Sequence, residues 1–298
     1  MQSFTKDEAL NKSEYVRRSL TKISHKTWEY FIISRIIHRL DDFSIEFVTQ
    51  QLVKRPDGSR ALTDLFYPQL GLHLEINEPF HKENIEADSI RQRDIVNVTK
   101  HRIENIDIDE TSTIEEMCAR TDAFIEIVKS AKAKLVDAGN FRTWDLESRY
   151  LADPIIQRGY IDVDDNVTFR LQAEAMKCFG FDGKGWQKAA WKFKDSTNDS
   201  IWFPRLYPHD PRWTNELSAD GKVITQKANN EDGIATNRKI LSEPVLSPKG
   251  NVVVFAKAKD ALGENLLRYV GTFVRNRKLS NEQCITYELV RTREQVRV

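Results

Sequence analysis

The sequence predicts two domains in tandem: an N-terminal α/β (α+β) unit over residues 1–140, with a mixed sheet and flanking helices, and a mainly β unit over residues 141–298. Three observations predict it. The 298 residues exceed a typical domain, which runs to about 100–200 residues. Hydrophobic periodicity in the first half alternates in the order helix, three strands, helix, strand, helix. Beyond residue 140 turn-rich segments such as "FDGKG", "YPHDPRW" and "SADGK" replace long helices, and five of the six tryptophans (Trp144, Trp186, Trp191, Trp202, Trp213) lie there.

The first helix is read from "SHKTWEYFIISRIIHRL", where Trp28, Ile32, Ile36, Ile37 and Leu40 recur at helical spacing and Glu29, Arg35 and Arg39 fall on other faces. Two β-rich runs follow in "FSIEFVTQQLVKRPDGSRALTDLFYP", joined at the turn signal Pro56-Asp57-Gly58. "GLHLEIN" is the third strand, "KENIEADSIRQRDIVNVTK" a solvated helix, and "HRIENIDI" an alternating strand. Thr113-Ile114-Glu115-Glu116 matches a capping box and opens the last helix of this half, which Gly139 stops. In the second half "NVVVFAKAKD" and "NLLRYVGTFVRNR" read as strands, and the linker falls within residues 138–160.

Composition limits the function classes. Apolar residues make up 40% and charged residues 30%, enough for two cores in a globular chain. Formal net charge is zero, so a polyanion partner must be met by local basic patches. The odd, dispersed cysteines Cys118, Cys178 and Cys284 fit neither a disulfide framework nor a structural zinc site. No run reaches the roughly 20 apolar residues of a membrane span, and "MQSFTKDEALNKSEY" lacks the apolar core of a signal peptide. The expected location is cytoplasmic, with no membrane partner.

Asp64 and Glu75 stand eleven residues apart on what read as adjacent antiparallel strands. Like charges brought close are tolerated when a cation lies between them or one is protonated. Carboxylates with room for water suit Mg²⁺ (or Mn²⁺) as a ligand pair, and such an ion neutralises charge on a phosphodiester transition state. The alternative is that both acids face solvent and pair with arginine or lysine.

An acid before a strand hairpin, then Glu75-Ile76-Asn77 on the next strand, resembles the core of the PD-(D/E)XK nuclease superfamily. Asn77 stands where that superfamily usually has lysine. The resemblance implies that Glu29 is the additional helix-borne acid. His81, six residues after Glu75, could serve as general acid or base, and a histidine in this relation is similar to the very-short-patch repair endonucleases.

In the second half, Trp202, Phe203, Tyr207 and Trp213 are interleaved with Asn215, Asn229, Asn230 and Asp232, a mixture able to stack a base and bond its edge. A carboxylate suits the exocyclic amine of cytosine. Most of these aromatics are also explained as filling a small β core.

Both halves together resemble the PvuRts-type, AbaSI-like modification-dependent restriction endonucleases, through "KTWEYFIISRIIHRLDDFSIEFVTQQLV", "RPDGSRALTDLFYPQLGLHLEINEPFH", "WTNE", "NNEDGIATNRK" and "KDALGENLLRYVGTFV". That resemblance implies a PD-(D/E)XK-like nuclease followed by an SRA-like domain reading hydroxymethylated or glucosylated hydroxymethylated cytosine. By that likeness Asp64, Glu75 and His81 fall on the nuclease motif, with Asp64 and Glu75 on the metal, and Trp213, Asn215 and Asp232 on the base pocket; Asn77 and Glu29 from the PD-(D/E)XK resemblance complete the expected catalytic set, and Tyr207 from the aromatic mixture completes the expected base site. It also implies double-stranded DNA as partner, and cutting both strands with one nuclease site per chain implies a homodimer. The rivals are a non-cleaving reader of modified DNA, favoured by Asn77 in place of lysine, and a mismatch-directed nickase.

Overall fold

The computed structural model describes residues 11–54, 60–78, 96–97, 101–194, 199–207, 209–242 and 250–297. The chain forms two compact units, and the continuous C-terminal part of the second begins at Ser148.

The N-terminal unit begins with a helix the periodicity did not announce, α1 (Lys12–Ile23), whose buried positions Tyr15, Ser19 and Ile23 are too sparse to give an apolar stripe. Asn11 caps it by accepting the Glu14 N–H at 2.9 Å. α2 (Thr27–Leu40) buries Ile32, Ile33, Ile36 and Ile37 as a continuous face. Glu29 lies on that face too, rather than on a polar one, and is 3% exposed. Strands β1 (Val48–Lys54), β2 (Arg60–Tyr67), β3 (Leu72–Asn77), β4 (Val96–Asn97) and β5 (Arg102–Asp107) make a five-stranded sheet in the order β4-β1-β2-β3-β5. The expected helix over 82–100 is corrected at its end: Val96–Asn97 is strand, and residues 82–95 lie outside the described residues. So does the turn Pro56-Asp57-Gly58, although the strands on either side of it are neighbours as expected.

β2 and β3 run antiparallel with Leu65 opposite Leu74 and Phe66 opposite His73, while β3 and β5 run parallel with Glu75 beside Asn105 and Asn77 beside Asp107. The sheet is therefore mixed. α3 (Ile114–Asp137) carries the capping box at both of its bonds, Thr113 to the Glu116 N–H and Glu116 back to the Thr113 N–H. It packs against α2, where Arg35 forks onto both Asp122 oxygens at 2.9 Å, and Phe124 meets Tyr67 of the sheet. Gly139 ends it at φ +69°, a conformation that costs a Cβ-bearing residue more. Trp144 belongs to this unit: it is 3% exposed and packs edge-on against Tyr15 and Phe47.

The second unit is mostly sheet. Short helices α4 (Asp153–Arg158) and α5 (Gln172–Lys177) and strands β6 (Tyr160–Asp162) and β7 (Thr168–Phe169) precede an extended sheet of β8 (Ala190–Lys192), β9 (Ser200–Trp202), β10 (Trp213–Leu217), β11 (Val223–Ala228), β12 (Val252–Lys259), β13 (Asn265–Arg275) and β14 (Cys284–Arg291), ordered β10-β11-β14-β13-β12-β9-β8. β7 pairs with β13 off that path, and β15 (Arg293–Gln295) pairs with β6. Two apolar clusters hold it. One gathers Phe169, Phe179, Trp191, Phe203, Phe255 and Tyr269. The other gathers Ile224, Val254, Phe273, Ile285 and Tyr287 beneath Ile240 and Leu241 of α6 (Glu231–Ser242). Each such fully buried side chain contributes about 1.5–3 kcal/mol. Phe273 is core, as expected. An α/β N-terminal domain and a mainly β C-terminal domain are thus both present.

Candidate nuclease centre and base-reading site

Three elements of the N-terminal unit converge on one amide. Gln50 of β1 has φ +56°, the left-handed region that a non-glycine residue enters at a cost of about 1–3 kcal/mol. That backbone turn aims its side chain inward. Its Nε2 donates to Glu29 Oε1 at 2.7 Å and to Asp64 Oδ1 at 3.0 Å, so a single amide bridges the two carboxylates. Lys26, just ahead of α2, lies 3.1 Å from Glu29 Oε2 and donates to Gln50 Oε1 at 3.3 Å. Glu29 also sits in the first turn of α2, where the helix dipole favours negative charge.

Asp64 lies one step beyond the paired stretch of β2 and β3, and its Oδ2 accepts the Ile76 N–H at 2.6 Å. Burial and the Glu29 charge push its pKa up to about 7, against the pull of the Ile76 N–H, Lys26 and Gln50. Two carboxylates confined in this way gain when a hard cation replaces the proton, so the donor set fits a divalent ion. Among the described residues no three His, Cys, Asp or Glu side chains form a metal site. Water and phosphate oxygens would complete the shell, as is usual for Mg²⁺.

The other expected members are distributed differently. Glu75 is half-buried on β3 beside Asn105. Asn77 is exposed, and its Nδ2 donates to Asp107 Oδ1 at 2.7 Å and Asn105 Oδ1 at 3.4 Å, which ties it to β5. His81 lies outside the described residues. Two residues before Glu75, His73 is fully buried and stacked on Phe66 at 4.1 Å; its ring bonds Thr63 at 3.0 Å and His101 at 2.9 Å. Burial and its neighbour His101 lower its pKa to about 3, so it is neutral at physiological pH. Lys26 and Gln50 escaped sequence reading. The Lys26/Glu29 spacing of three was a usable signal, whereas nothing in the pattern around Gln50 marks its left-handed turn.

In the C-terminal unit the chain beyond β9 runs alongside β12: the Lys257 N–H donates to the Pro204 carbonyl at 2.7 Å, and the Leu206 N–H to the Lys257 carbonyl at 3.0 Å. Asn215 of edge strand β10 donates its Nδ2 to the Arg205 carbonyl at 3.2 Å, tying that edge to the segment after β9. Asn215 is 5% exposed, and its Oδ1 is buried without a partner. Gln226, directly opposite on β11, is also buried. Opposed residues share a face, and Ile224 and Ile285 continue that face as core. Two amides thus top an apolar layer.

Trp213, half-buried at the start of β10, lies under the Arg212 guanidinium at 4.5 Å. Arg212 forks onto Asp210 at 2.9 and 2.6 Å and holds that carboxyl well below the usual range. The segment before Trp213 is pinned to the start of α6. Asn229 N–H donates to the Arg212 carbonyl at 2.7 Å, and Asn230 Nδ2 to the Pro211 carbonyl at 3.2 Å. A Cβ on Gly233 would stand 2.2 Å from the Arg212 carbonyl, so only glycine fits there. Asp232 is exposed in the first turn of α6, with its charge felt by Arg212. Tyr207 is half-buried, edge-on to His209 at 6.0 Å.

The two domains match known proteins. A family model described as restriction endonuclease PvuRts1 I-like, N-terminal, matches residues 13–132, and one for the SET and RING associated (SRA) domain matches residues 154–296. The solved structure "The 5-Hydroxymethylcytosine-Specific Restriction Enzyme AbaSI" is 30% identical, with a TM-score of 0.82, over 96% of this chain and 97% of that one. The chain belongs to the PvuRts-type, AbaSI-like restriction endonucleases. Among curated proteins there is no match. Membership makes the chain a DNA endonuclease with an SRA domain for modified DNA, of a kind that works with a divalent metal ion in general. No helix among the described residues is long and apolar enough to cross a membrane.

Proposed function

We propose that this PvuRts-type chain is a Mg²⁺-dependent (or Mn²⁺-dependent) endonuclease that cuts double-stranded DNA at a distance from 5-hydroxymethylcytosine or its glucosylated form, acting as a homodimer in the cytoplasm. The observation that carries this reading is the likeness, over 96% of the chain, to a 5-hydroxymethylcytosine-specific restriction enzyme with the same two modules.

In the nuclease half Glu29 and Asp64, joined by Glu75, would hold the divalent ion, which when bound supplies charge neutralisation at the scissile phosphate. Gln50 keeps the first two carboxylates in register, and Lys26 balances their charge. Burial around Asp64 thins the water that would otherwise screen these charges. His81 would transfer a proton or position the attacking water, and Asn77 would act through Asp107.

In the reading half the base is flipped out of the stack. Trp213 and Tyr207 supply flat faces, Asn215 offers its unpartnered Oδ1 to the cytosine amine, and Asp232 takes part in selection. Gln226 joins the set as a second buried amide.

Purified protein with Mg²⁺ should cut duplexes carrying one hydroxymethylated or glucosylated cytosine several base pairs from the mark, and leave unmodified duplex whole. Binding without cleavage would make the chain a reader, and nicking of unmodified mismatched duplex would make it a repair enzyme.

A further inference from the structure

Residues 181–194 carry four lysines and a single acid, in a chain whose formal net charge is zero. The acid, Asp182, is matched by Lys194 at 3.0 Å. Among the described residues Lys184, Lys188 and Lys192 form no ion pair, and all three are exposed. A neutral chain that binds a polyanion does so through a local excess of this kind.

The lysines stand on a fixed base. Trp191 is buried in the larger apolar cluster, Phe181 packs edge-on against both Trp186 and Trp191, and Lys188 Nζ lies 5.6 Å above the Trp186 ring. A Cβ on Gly183 would stand 2.4 Å from the Phe181 ring, so glycine lets the chain pass close to it. Two carbonyls of the segment are held: Gln172 Nε2 donates to Lys188 at 3.2 Å, and the Phe203 N–H to Ala189 at 2.8 Å. β8 is the last strand of the sheet, and Ala190 and Lys192 turn outward while Trp191 turns in. Lys192 lies opposite Ser200, which pairs with Val252 and through it with Phe273. Register thus puts Lys192 on the sheet face of Phe273, Ile285 and Ile224, the face that Asn215 and Gln226 share.

We propose that Lys184, Lys188 and Lys192 form a strip that receives backbone phosphates of the bound duplex. Phosphate contacts fix a protein's position on DNA without reading its sequence, and lysine binds phosphate as a point charge. The partner follows from membership of a DNA endonuclease family with an SRA domain, and the strip does not depend on which base is read. Edge-strand lysines also discourage pairing with a second sheet, a guard role that predicts a different result.

The test is titration of full-length protein with modified and unmodified duplexes, without divalent ion, over a range of salt. Wild type is compared with K184Q/K188Q/K192Q, with K184R/K188R/K192R, and with K222Q/K239Q/K278Q, which removes the same charge from exposed positions elsewhere on this unit. The first variant should bind both duplexes more weakly by one common factor and keep the preference for modified DNA. Its slope of log affinity against log salt should be smaller by about 2–3, as expected for three lost phosphate contacts. The arginine variant should keep the wild-type slope, and the control variant should change it by less than about one. A wild-type slope in K184Q/K188Q/K192Q overturns the strip, and self-association of that variant in sedimentation would then assign the lysines to guarding the edge. An equal fall in slope for the control variant also overturns it. Wild type without preference for the modified duplex would remove the base-reading function and leave the strip standing, because the slope is read on unmodified duplex as well.

Discussion

Glu29 of α2 and Asp64 of β2 share one hydrogen-bond donor, the side-chain amide of Gln50, at 2.7 and 3.0 Å. The acid nearest in effect to Asp64 therefore comes from a helix 35 positions earlier in the sequence, and its charge raises the proton affinity of Asp64. A proton or a cation is needed to settle the pair.

That need makes metal-free stability depend on pH. With its folded pKa raised to about 7, above an unfolded value near 3.9, Asp64 favours the folded state below the unfolded value. The contribution is lost as pH rises towards and through 7. Melting of metal-free protein should show this loss between about pH 4 and pH 7. Asp64→Asn, which can still accept the Ile76 N–H, should flatten the profile, and added Mg²⁺ should offset the loss in wild type. A wild-type profile identical to that of the variant would remove the coupling.

Gln50→Gly relieves the left-handed backbone and deletes the bridge together. Relief of the left-handed backbone, which glycine adopts freely, should partly offset the loss of the bonds to two buried carboxylates, so metal-free folding stability should fall less for Gln50→Gly than for Gln50→Ala. Cleavage should fall by about a hundredfold, as expected when reacting groups drift by an ångström. Single-turnover cleavage beside a melting curve measures both.

Glu75 and Asn77 separate cleanly. Glu75→Ala should abolish cutting and leave modified-DNA binding nearly intact; retained cutting excludes Glu75 as a ligand. Asn77→Ala loses its bond to Asp107 and should reduce cleavage far less, because its amide is spent on β5. Equal losses on a single-turnover assay would place Asn77 in the reacting set.

At the reading site, Trp213→Ala should weaken modified-duplex binding by about 1–3 kcal/mol, the range of base–aromatic stacking. Asn215→Leu removes a buried unpartnered oxygen that costs about 1–3 kcal/mol, and also the Arg205 bond. Melting should change little while the preference for modified over unmodified DNA drops. Asp232→Ala should relax base selection without altering salt-dependent background binding. Titration with both duplexes reads all three.

Much of this was legible because it is local. The isoleucine face of α2, the hairpin acids and the capping box at Thr113 each reside in a few consecutive residues. What was not legible depends on distant partners or unusual backbone. α1 buries a serine between a tyrosine and an isoleucine, and so shows no apolar stripe. Trp144 sits in a turn-rich stretch yet fills the N-terminal core. Gln50 earns its place only through a left-handed turn, and Gln226 only through its register with Asn215. Periodicity alone reads Glu29 as one polar residue on a helix; the PD-(D/E)XK resemblance named it as an added acid, but its sharing of the Gln50 amide with Asp64 shows only once β1 and β2 are assembled beside α2.

The most direct measurement is cleavage of a duplex with a single hydroxymethylated cytosine by Glu29→Gln in saturating Mg²⁺, with binding of the same duplex followed in parallel. The paired-carboxylate account predicts affinity close to wild type and a cutting rate lower by about a hundredfold or more. Cutting at the wild-type rate would contradict it.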